Sequence, residues 1–208
     1  MGMIGGDRLE GFVFYWFLWS AWIVATFLMN KRSPYRLIIA LHSLLVIIFT
    51  AFHWSIMNVV INLSVLWILI ICMYYLKDYR FFTLLSMMTR VFIVMLSYAS
   101  YLLFSLYDPV WILFDTFWLE VLLYSILSLI IFDTLLERIV GCTIGFILGE
   151  GIFAITITKW TNSYIIGSFH LLDVLSIGIL FLLIWNFIIN LSVLYDSKLH
   201  NFERERHS

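Results

Sequence analysis

Charge is what this sequence has least of. Asp, Glu, Lys and Arg make up 12% of its 208 residues and hydrophobic residues 63%, where soluble domains run at about 25% and about 45 to 50%. A water-soluble fold cannot hide that much apolar surface. A membrane-spanning helix needs about 20 mostly apolar residues, so seven of them would occupy most of the chain. No room is left for a soluble catalytic or nucleic-acid-binding domain. Twelve basic residues against thirteen acidic ones leave no general attraction for nucleic acid.

Proline and cysteine are also scarce, with two of each. Pro34 and Pro109 each stand just ahead of an apolar run, where a missing N–H is harmless, so neither kinks a helix. Seven uninterrupted runs argue against the broken helices that many transporters use at their binding sites. Cys72 and Cys142 lie inside apolar segments, without a CxxC spacing or neighbouring histidines, and read as small buried hydrophobes. Histidines 42, 53, 170, 200 and 207 are scattered, so no metal site is expected. There is no GxSxG, no HExxH and no lysine in the last apolar run that could carry a retinal. The chain is therefore not expected to be an enzyme or to hold a cofactor. Residues 5–10 mix charge signs and no A-x-A-like site closes the first run, so that run reads as a retained helix and not as a cleaved signal.

What is present is a series of apolar runs at 11–29, 37–52, 56–76, 81–106, 110–132, 139–158 and 164–194, followed by a short solvated tail at 195–208. They predict an all-α, polytopic transmembrane bundle of about seven helices forming a single membrane domain. The break at His53-Trp54-Ser55 leaves one alternative, a hairpin of the second and third runs that dips part way into the bilayer. Basic residues orient the bundle, because cytoplasmic loops retain positive charge. With the N-terminus outside, nine of the twelve fall on the cytoplasmic side: Lys31, Arg32, Arg36, Lys77, Arg80, Arg138, Lys198, Arg204 and Arg206. Only Arg8 and Lys159 fall outside, and Arg90 lies within the membrane. The C-terminus is then cytoplasmic. Aromatics, 19% of the chain, include Trp16, Trp19, Trp22, Trp111, Trp118 and Trp160 near the expected interfaces, where such rings anchor helices.

Charged groups at mid-membrane depth are the informative exceptions, since each costs at least about 2.5 to 3.5 kcal/mol on insertion scales. Counting from the run ends at about 1.5 Å per residue, Arg90, Glu120 and Glu150 all reach a depth of roughly 15 Å. Three consecutive helices would thus present opposite charges at one level. Arg90 shares a helical face with Thr83, Ser86, Ser97 and Tyr101, and that face is expected to point inward. Asp115, and Asp173 with His170 and Ser176 on its face, lie nearer the outer surface. One account pairs Arg90 with Glu120 or Glu150 as a buried structural ion pair. Yet one arginine cannot neutralise Asp115, Glu120, Glu150 and Asp173 together. The other account is therefore a polar cavity open to the outside, in which Glu150 or Glu120 serves a proton, a cation or an amine-bearing solute.

Gly141, Gly145 and Gly149 recur every fourth residue in the sixth run, a register that admits a close helix neighbour. That neighbour could belong to the bundle, to a second copy or to another membrane protein. Asn58 with Asn62, and Asn186 with Asn190, are i, i+4 pairs suited to bonding across helices.

The opening Gly6-Asp7-Arg8-Leu9-Glu10-Gly11 leads into an aromatic-rich first helix that ends in Asn30-Lys31-Arg32. It resembles the small YphA-type membrane proteins of endospore-forming Firmicutes, as do the size and near absence of loops. The resemblance implies a multi-pass protein of the bacterial plasma membrane and a link to spore envelope formation. It carries over no functional residue, because the family has no established activity. The leading expectation is a structural or assembly component of the membrane, with a small-solute, proton or cation carrier as the alternative.

Overall fold

The computed structural model describes residues 10–56, 58–107, 115–160 and 163–206. Arg8, Pro109, Trp111, His207, the 6–9 part of the opening motif and the 110–114 start of the fifth run lie outside the described residues.

Among the described residues seven α-helices follow one another, with three short strands between them: α1 (Phe12–Ile23, extended by a π turn Val24–Leu28), α2 (Pro34–Phe49), β1 (His53–Ile56), β2 (Val59–Asn62), α3 (Leu63–Leu76), α4 (Phe81–Tyr107), α5 (Thr116–Ile131), α6 (Leu135–Ile157), β3 (Tyr164–Ile166) and α7 (Phe169–Arg206). The local sequence explains most of the boundaries. Pro34 opens α2 at a position that needs no N–H donor. Asn62, Asp115 and Thr134 accept backbone N–H bonds at the starts of α3, α5 and α6, the usual role of short polar side chains at N-caps.

The strands are the main departure from the hydropathy reading. Residues 56–62 look like the start of a spanning helix, but β1 and β2 form an antiparallel hairpin, with β3 added parallel to β2. Val59, Val60 and Ile61 are β-branched and suit an extended backbone. A continuous apolar run does not by itself distinguish strand from helix. For the same reason residues 164–168 form β3 and a turn, and α7 begins at Phe169 instead of 164. At its other end α7 continues as helix through Arg206, over most of the stretch read as the tail.

The helices are unequal. Among the described residues, only α4, α6 and α7 are long and apolar enough to cross a membrane by length and composition. The others have 12 to 16 residues, or 17 for α1 with its π turn, about 20 to 25 Å at 1.5 Å per residue. α6 is the central post. Of its most apolar stretch 67% is buried, against 22% for α4 and 39% for α7. Its glycine face is taken up by α4 of the same chain. A Cβ at Gly145 would stand 2.5 Å from Val94 Cγ1, one at Gly149 would stand 2.9 Å from the Met95 carbonyl, and one at Gly141 would collide with Phe132. The two helices are thus parallel and in register, with Phe146 stacked on Tyr98 at 4.1 Å between ring centroids.

The face of α4 that meets α6 is Met87, Val91, Val94 and Tyr98, all buried. This corrects the expectation that Thr83, Ser86, Arg90, Ser97 and Tyr101 point inward: Thr83 and Ser86 are exposed, and the other three only partly buried. Ser97 donates to the Ile93 carbonyl of its own helix at 2.8 Å. Satisfied in this way, a hydroxyl has no need of the interior.

Candidate functional site

The contacts gather one end of every helix around the sheet. Gly11 and Phe14 at the start of α1 meet Asp173 near the start of α7. Val65 of α3 lies against Gly167, and Glu120 of α5 bonds to His170. The N-termini of α1, α3, α5 and α7 therefore converge at this sheet end, where α2, α4 and α6 finish. Four acidic residues singled out by the sequence collect here.

Asp173 accepts N–H bonds from Gly11 (2.8 Å) and Phe14 (2.7 Å), so a side chain of α7 caps α1. Gly11, at φ 86°, takes the left-handed turn that presents its N–H. Glu150 reaches from α6 to the turn before α7. Its Oε2 accepts the Gly167 N–H at 2.7 Å, and its Oε1 lies 3.4 Å from the Tyr164 hydroxyl and 3.5 Å from that of Ser168. Gly167, at φ 78°, packs so closely on Val65 that a Cβ would collide with it. Burial first, then the neighbouring Glu150, raises the Tyr164 pKa above the ordinary phenol range, which keeps it a donor. Ser168 Oγ in turn accepts the Leu171 N–H at 3.3 Å, capping α7. Asp115 caps α5 by accepting the Phe117 N–H at 3.2 Å.

Glu120 is arranged differently. Its Oε2 accepts the Tyr98 hydroxyl at 3.0 Å and its Oε1 lies 3.2 Å from His170 Nε2. Both partners are side chains. The Glu120 side chain is 5% exposed and that of His170 39%, so the histidine bridges a buried carboxylate to the surroundings of the bundle. His170 and Asp173 share a face of α7 but part company, one serving α5 and the other α1.

Arg90 does not join this cluster, which corrects the expectation of a pair with Glu120 or Glu150. It lies eight residues before Tyr98, about 12 Å further down α4. Its Nη1 is 3.0 Å from Asp133 and 3.9 Å from Glu137, at the turn between α5 and α6. Depth counted from the ends of apolar runs put it level with the glutamates because α5, which carries Glu120, starts later than its run and α6, which carries Glu150, starts earlier than its run.

Tyr98, Gly167 and Ser168 were not singled out from the sequence. Gly167-Ser168 just ahead of an apolar run is a helix-start signal, and a tyrosine on an otherwise apolar buried stripe calls for a partner. Among the described residues no group of three or more His, Cys, Asp or Glu is placed to hold a metal ion.

The sequence profile of the YphA-like integral membrane proteins matches residues 10–208. The chain belongs to that family. The uncharacterized protein YphA of Bacillus subtilis (strain 168) is similar to it, 29% identical over 177 residues, which are 84% of this chain and 86% of the relative. No solved structure matches. This YphA-like chain is thus an integral membrane protein whose family and relative carry no activity in their names, and the reading of the site rests on its geometry.

Proposed function

We propose that the protein is a multi-pass structural or assembly component of the bacterial cell membrane, with its N-terminus and sheet outside and its C-terminus in the cytoplasm. One observation carries this: three of the four acids that seemed to lack cations bond to backbone N–H groups at helix starts. Asp173 serves α1, Asp115 serves α5, and Glu150 serves the turn into α7. A helix N-terminus holds a carboxylate through oriented N–H groups and the positive end of the helix dipole. The acids then act as fasteners and need no transported cation. The orientation is supported by Lys31, Arg32, Arg36, Lys77, Arg80 and Arg138, which lie in turns or helix ends remote from the sheet. The resemblance adds spore envelope formation as the setting, and a deletion strain with an unaltered spore envelope would remove it.

Glu120 supports the second reading, a proton or cation carrier, because its partners are ionisable or hydroxyl side chains and His170 is partly open. Proteoliposomes separate the two. The structural reading expects no proton or cation flux above that of protein-free vesicles, and Glu150→Gln and Glu120→Gln that change stability alone. A flux abolished by Glu120→Gln in a protein that stays folded would make the carrier the correct reading.

A further inference from the structure

Glu120 differs from the other acids at the sheet end in that its partners are side chains, one of which changes charge near neutral pH. Its Oε1 lies 3.2 Å from His170 Nε2 and its Oε2 accepts the Tyr98 hydroxyl at 3.0 Å. Asp173, Asp115 and Glu150 accept backbone N–H groups, donors that keep their hydrogen across the physiological range. Imidazole gains and loses its charge between about pH 5 and 8.

The position of His170 gives a proton a way in. It is the second residue of α7, and its side chain is 39% exposed while that of Glu120 is 5% exposed. Phe117 of α5 stands edge-on to the imidazole, 5.7 Å between ring centroids. The charged groups that act on His170 among the described residues are all acidic: Glu120 from α5, Glu150 from α6, Glu10 just ahead of α1, and Asp173 one turn along its own helix. From α4 comes the Tyr98 hydroxyl, which reaches the pair through Glu120.

The same geometry offers the proton no way onward. Tyr98 is 1% exposed, and its ring is stacked on Phe146 and packed against Gly149. Among the described residues no side-chain hydrogen bond leads from Tyr98, Glu120 or His170 to the Glu150 group or towards the opposite end of the bundle.

We propose that Glu120 and His170 form a proton-binding joint: one proton, taken up from the sheet side, fastens the start of α7 to α5, and its loss loosens that contact. With the proton on the imidazole the contact is a charge-assisted hydrogen bond, about twice as strong as a neutral one. Without it Glu120 stays buried between two neutral donors, which compensate a carboxylate less well. Because the folded arrangement gains from the proton, stability falls as pH rises through the range in which the histidine titrates. The proposal rests on the reading of the acids as fasteners and adds that one fastener is set by pH.

The test follows unfolding of the full chain in detergent micelles between about pH 6 and pH 9. The equilibrium constant for unfolding is expected to rise about fivefold over that range. His170→Gln keeps a neutral donor and the other four histidines, and is expected to remove that rise. Hydrogen exchange of the unaltered protein, corrected for the intrinsic effect of pH, reads the same joint without a variant. Amides at the start of α7 should open more often at the higher pH, and those of α6 beside α4 should not. A rise that survives His170→Gln, or equal opening of the α7 amides at both ends of the range, would overturn the proposal and leave the structural reading in place. Proton flux into proteoliposomes that His170→Gln abolishes would overturn both, because the site would then pass its proton on.

Discussion

The two ends of this bundle solve one electrostatic problem in opposite ways. At the sheet end the N-termini of α1, α5 and α7 present N–H groups, and Asp173, Asp115 and Glu150 accept them. At the other end the C-termini of α1 and α5 present carbonyls, and arginines donate to them: Arg36 to Ala25 and Thr26 at 3.1 and 2.8 Å, and Arg138 to Phe132 at 2.9 Å. Charge is matched to the helix dipole at both ends. Two of the sheet-end acids are buried, however, whereas Asp115 there and Asp133 at the opposite end are exposed. Asp173 and Glu150 are 7% and 2% exposed, whereas Asp133, the partner of Arg90, is 81% exposed. The same type of interaction should therefore matter much more where water is excluded.

The largest effect is expected where the two ends are joined. Gly145→Leu would drive a side chain into Val94 and should cost about 3 kcal/mol or more. In detergent unfolding both ends should be lost together, and an unchanged melting temperature would show that α4 and α6 are not held by close packing. Next come the sheet-end fasteners. Asp173→Ala removes two bonds to backbone N–H groups of α1, and Glu150→Leu leaves the Gly167 N–H without its acceptor. Each should cost about 2 kcal/mol, read as a lower denaturation midpoint. Arg90→Leu should be the mildest, about 0.5 kcal/mol, because it breaks an open ion pair. If Arg90→Leu proved as damaging as Asp173→Ala, the contrast between a buried and an open end would be wrong.

Much of this was legible in the chain. Hydropathy located seven helices and the family resemblance was recognisable from the first segment. The four-residue spacing of Gly141, Gly145 and Gly149 marked the side of α6 that a neighbour approaches closely. Asp115 and Asp173 were legible as acids near the outer end, whereas Glu120 and Glu150 were read at mid-membrane depth, and the partners of all four were not legible. The reading failed where apolar composition conceals a change of backbone, as in Val59–Asn62, and where depth was inferred by counting residues, as for Arg90. It also overlooked Tyr98, whose hydroxyl has meaning only once Glu120 stands beside it.

Composition and periodicity by themselves determined that the protein resides in a membrane, that it is helical, and which side of α6 a neighbour approaches closely. These follow from local properties: transfer free energy per residue and the 3.6-residue turn. Tertiary structure alone decided what balances the buried acids. For Asp173 and Glu150 the compensation comes from backbone N–H groups at helix starts and for Glu120 from the Tyr98 and His170 side chains, and all of these become available to a distant carboxylate only when the helices are brought together end to end.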